Sequence, residues 1–73
     1  MNITDMMIHV HSDLTLVQQE RLVEEIRIFE GVTAVGFNLL IMHWMFVIFD
    51  IDKITAMNIL CRVRQWDKNA VYF

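Results

Sequence analysis

Three small groups of residues in this chain have types and spacings that chemistry could use. The first is Ile8-His9-Val10-His11, with His43 far downstream. Residues two apart on a strand face the same way with their bases about 7 Å apart. Two imidazoles so placed can grip one ion, and imidazole suits zinc, copper or nickel. A pair without a third ligand is equally two polar residues on a half-buried strand. The second group is Asp50 and Asp52, a pair that could meet a hard cation or simply turn a loop, where Asp is favoured for local hydrogen bonding. The third is Cys61, the sole cysteine, which reads as a small packed hydrophobe because no activating base accompanies it. No nucleophile-base-acid order, glycine-rich phosphate loop or metalloprotease helix is present. The chain is expected not to be an enzyme.

The elements that must carry these residues follow from periodicity. Met6 to His11 alternates, with Ile8 and Val10 on one face and His9 and His11 on the other, as in a strand with one buried face. Ser12-Asp13-Leu14 stops it, and Thr15 with Gln18 has the spacing of a capping box, so a helix begins there. Leu22, Ile26 and Phe29 give that helix its apolar stripe, and Gly31 is expected to end it just past the C-cap. Val32–Phe37 reads as a second strand, Asn38 as a turn, and His43–Phe49 as a third strand apolar on both faces. Thr55 with Asn58 caps a second helix that turns Ile54, Ile59, Val63 and Trp66 inward and stops at Asp67-Lys68-Asn69. Ala70–Phe73 makes a short last strand. The order βαββαβ is the split βαβ, ferredoxin-like pattern. Right-handed crossovers put the first and third strands in the middle of a four-stranded antiparallel sheet. The fold is therefore expected to be α+β, an open-faced sandwich with both helices on one sheet face.

Within that order, the spacing of Ile8-x-Val10, Leu22-x-x-x-Ile26, Gly31-Val32, Val47-x-Phe49-Asp50, Ile54-Thr55 and Ile59 resembles a heavy-metal-associated domain, over nearly the whole chain. Copper chaperones and the N-terminal modules of metal-pumping ATPases have this fold. The family binds soft ions through a Met-x-Cys-x-x-Cys loop between the first strand and first helix. Counted back from Gly31-Val32, its methionine falls at Asp13 and its cysteines at Thr15 and Gln18. The resemblance thus implies a degenerate metal loop in which a helix cap stands where the thiols would be. Cys61 sits on the second helix and cannot replace a chelating pair. Any metal role would pass to His9 and His11, with His43 near them at the strand end but on the core-facing parity of Met45, Val47 and Phe49.

That parity leaves Trp44, Phe46 and Ile48, extended by Met7, on the face without helices. Such a face normally alternates toward polar residues. An apolar row there marks an interaction surface, and Trp and Phe are enriched in the cores of interfaces. Protein contact or self-association is the expected use. A competing use is base stacking, because the RNA-recognition motif has the same element order and aromatics on its third strand. Phe46-Val47-Ile48-Phe49 fits the tail of its signature, but His43 and Trp44 replace the basic-glycine opening. Six basic residues against nine acidic ones, a net charge of −3, also make a phosphate-neutralising surface hard to build. Single-stranded nucleic acid is therefore not the expected partner.

Seventy-three residues, 56% of them hydrophobic and none proline, suit one domain spanning 1–73 with a small core. The apolar run from Leu39 to Phe49, broken by His43, is shorter than the ~20 residues that cross a bilayer. The first residues lack a basic n-region, and a lone cysteine fits a reducing compartment, so the expected location is cytoplasmic, without membrane insertion. No cofactor is expected beyond a divalent transition metal at the histidines.

Overall fold

The computed structural model describes residues 1–38 and 43–73. Residues 39–42, the start of the apolar run, lie outside the described residues. The elements are β1 (Ile3–His9), α1 (Leu16–Arg27), β2 (Val32–Phe37), β3 (Trp44–Asp50), α2 (Ala56–Val63) and β4 (Val71–Tyr72). They form a sheet in the order β2-β3-β1-β4, antiparallel throughout. This is the open-faced ferredoxin-like sandwich expected from the element order.

One sheet face carries the core. Met6, Ile8, Met45, Val47 and Phe49 are buried there against Leu22 and Ile26 of α1 and Ile59, Leu60 and Val63 of α2. Along β3 the core set is Met45, Val47 and Phe49, and Trp44, Phe46 and Ile48 are half-buried on the other face. The expected parity therefore holds.

Both helices start on side-chain caps. The Thr15 hydroxyl accepts from the Gln18 backbone N–H at 3.2 Å, and the Gln18 side chain accepts from the Thr15 N–H at 2.8 Å. The reciprocal pair satisfies two otherwise unpartnered groups at the helix end. Thr55 caps α2 through a single bond, its hydroxyl accepting from the Asn58 N–H.

Several boundaries differ from the sequence reading. β1 runs from Ile3 to His9 rather than from Met6 to His11, because Asp67 takes the backbone N–H of His11 out of the ladder. α2 begins after Ile54, which is buried ahead of the cap. β4 is two residues long rather than four. His43 does not begin β3. It sits in the preceding turn with φ 71°. Gly31 does not lie just after the C-cap of α1, which is Ile28. Its φ of 100° opens the way into β2, where an added β-carbon would stand 2.8 Å from Cβ of Lys53. The glycine serves a close approach between two loops, which its lack of a side chain permits.

Candidate functional site: the open sheet face and the histidine end

The uncovered sheet face is built in three rungs set by the strand register. The first joins Ala34, Ile48 and Asp5, the second Gly36, Phe46 and Met7, and the third brings Trp44 beside His9 and Val71. Phe73 extends the second rung, since it exchanges both backbone hydrogen bonds with Met7. Its ring, 76% exposed, lies 5.5 Å from that of Trp44. The aromatic row expected on β3 is therefore continued across the sheet by a residue that the sequence reading placed only in a terminal strand. Its alternation in a short segment was too brief to assign a face.

The three histidines gather at one end of this face. His9 is central, with its ring 4.5 Å from that of His11, 6.2 Å from that of His43 and 4.9 Å from that of Trp44. The turn conformation of His43 brings its ring within reach, which strand parity alone would not do. Its Nδ1 is 2.9 Å from the carbonyl of Val10 and its Nε2 is 3.3 Å from Oδ1 of Asp13. A carbonyl only accepts, so Nδ1 carries the hydrogen. A neutral ring then presents a lone pair at Nε2, and the imidazolium presents a second donor toward Asp13. Among the described residues, no group of three or more His, Cys, Asp or Glu side chains is arranged to hold a metal ion.

The loop between β1 and α1 is held from the far end of the chain. The Asp67 carboxylate, 5% exposed, accepts from the N–H groups of His11, Ser12 and Asn69 and lies 3.8 Å from Nδ1 of His11. Burial pushes its pKa up, but the three backbone donors and the neighbouring imidazole outweigh that and hold it below the usual carboxylate range. Sequence reading took Asp67 only as a helix stop. The signal available was an acid in an Asp-x-Asn turn, which does not name a distant partner. Asp13, Thr15 and Gln18 thus supply a contact to Nε2 of His43 and a complete helix cap. A cleft of about 150 Å³ lies between Ser12, Asp13, Leu14, Gln19, Phe37 and His43.

Asp50 and Asp52 behave as loop residues. Oδ1 of Asp50 accepts from the N–H groups of Asp52 and Asn2. Those bonds, first Asp52 and then Asn2, draw its pKa down. Cys61 is a free, exposed thiol on α2, not the packed small hydrophobe expected from the sequence. No helix among the described residues is long and apolar enough to cross a membrane.

Element order, register and a one-sided core define a ferredoxin-like open-faced sandwich. A solved structure with this fold is oxidized MerP from Ralstonia metallidurans CH34, which aligns with a TM-score of 0.74 over 97% of this chain and 94% of that one, at 15% identity. At that identity the likeness speaks for the fold. No protein-family model matches the sequence, and no curated protein matches it significantly.

Proposed function

We propose that this chain is a non-catalytic interaction module whose working surface is the open sheet face. In this reading the thiolate loop of the heavy-metal-associated fold has given way to the Thr15–Gln18 cap. The observation that carries it is the apolar row Trp44, Phe46 and Ile48 with Met7 and Phe73 on the face that no helix covers. Large side chains on such a face gain burial only when a partner covers them. The simplest protein partner is a second copy of the chain. Sedimentation velocity across micromolar concentrations tests it. A concentration-dependent dimer is expected, reduced to monomer by Trp44→Ala with Phe46→Ala. A wild-type chain that stays monomeric throughout contradicts self-association.

A second reading keeps a metal at the histidine end. It is favoured by the gathering of His9, His11 and His43, and by an Nδ1–H of His43 donated to a carbonyl, the second-sphere arrangement typical of a ligating imidazole. Calorimetric titration with Zn(II), Cu(II) and Ni(II) separates the two. Heat that disappears in His9→Ala/His11→Ala supports the metal, and no heat above that control removes it.

A further inference from the structure

The open face is complementary to itself in one register. Along β1 it carries Asp5, Met7 and His9 in that order, an acid at one end and an imidazole at the other. The adjoining β3 carries Ile48, Phe46 and Trp44 on the same three rungs, a smaller side chain at one end and a large one at the other. Consider a two-fold axis lying between two such faces, perpendicular to the strands and passing over the Met7–Phe46 rung. That operation reverses the strand direction and keeps the strand order. Each Asp5 then faces His9 of the other copy, each Trp44 faces Ile48, and Met7 and Phe46 meet their own counterparts. Charge and bulk are both matched, as an isologous contact requires.

Resting on the open face as a contact surface, we infer that the chain forms a face-to-face dimer in this antiparallel register. Asp5 pairs across the interface with His9, and Trp44 packs on Ile48. The parallel alternative, with the axis along β1, sets Asp5 against Asp5 and His9 against His9, bringing two carboxylates together, and lays β3 over β4 of the other copy. Aligned sheet packing tolerates the twist of each sheet, with faces about 10 Å apart.

Crosslinking tests the register in a Cys61→Ser background, which removes the exposed native thiol. Met7→Cys alone should join two copies through a short bis-maleimide. Asp5→Cys mixed with His9→Cys should also crosslink, while each alone should not, since like positions sit about 13 Å apart along the strands. Charge exchange gives a second readout that needs no thiol. Asp5→His should weaken dimerisation about threefold, and adding His9→Asp should restore it. A dimer in which Asp5→Cys crosslinks to itself overturns the register but leaves the open face as the contact. A dimer that survives Trp44→Ala/Phe46→Ala moves the contact elsewhere and overturns both. A monomer at every concentration overturns the dimer, and the register with it, without touching the open face as a surface for another protein.

Discussion

The ring of Phe46 closes over Gly36: a β-carbon added to the glycine would lie 3.1 Å from both Cε1 and Cζ of that ring. The two residues are direct cross-strand partners on the open face. An aromatic ring laid over a strand glycine covers backbone that would otherwise be bare. It also fixes where the ring stands on the contact surface.

Gly36→Ala should therefore act on association more than on folding. Its backbone needs no left-handed conformation, and alanine suits a strand better than glycine. The ring must give way by a few tenths of an ångström, outward into the contact plane. The thermal midpoint is expected to move by less than about 4 °C. The dimer constant should weaken about fivefold, equivalent to ~1 kcal/mol. Calorimetry and sedimentation equilibrium on the same preparation check both.

Gly31→Ala should do the opposite. There φ is 100° and the new methyl would meet Cβ of Lys53 at 2.8 Å, a clash with an atom anchored to the backbone. Strain of this kind costs about 2 kcal/mol. Urea unfolding should show a lower midpoint with an unchanged slope.

Asp67 and Asp50 give the molecule an acid limit. Both carboxyls titrate lower in the folded chain than their ordinary value of 3.8. A lowered folded pKa stabilises at and above the unfolded value, and that stability is lost as pH falls through the folded value. Stability should thus be flat above about pH 5 and fall steeply below about pH 4. Asp67→Asn keeps the shape, removes the charge and should flatten that acid limb in circular-dichroism titrations. Its cost at neutral pH should be about 2 kcal/mol, the scale of hydrogen bonds to a charged acceptor.

Thr15→Ala should cost about 1 kcal/mol through loss of the cap. Thr15→Cys with Gln18→Cys loses the same cap but creates the thiol spacing of the heavy-metal-associated loop. The pair should draw Zn(II) from a chromophoric chelator, which the parent chain should leave untouched. No withdrawal of metal by the double variant would show that the loop register counted from Gly31-Val32 is wrong.

The parts of this molecule legible in its sequence were those governed by local period. Alternation in β3 separated Met45, Val47 and Phe49 from Trp44, Phe46 and Ile48, and both threonine caps were readable from spacing. What escaped depends on contacts between distant residues. The approach of the Lys53 loop gives Gly31 its role, and Asp67 decides where β1 stops. The positive φ of His43 gathers the histidines, although strand parity would send its ring toward the core. Phe73 joined the open face only through its pairing with Met7.

The Asp67 contacts also set a sequence of events. The carboxylate reaches back 56 residues to His11 and 55 to Ser12. Closing so long a loop is entropically costly, and such contacts slow folding. While the chain is being made, the Asp67 contacts to the segment between β1 and α1 form only after α2 and the turn after it have emerged. A histidine-bearing loop near the N-terminus is thus finished by residues near the C-terminus, and a nascent chain shows its open face before it can lock that end of it.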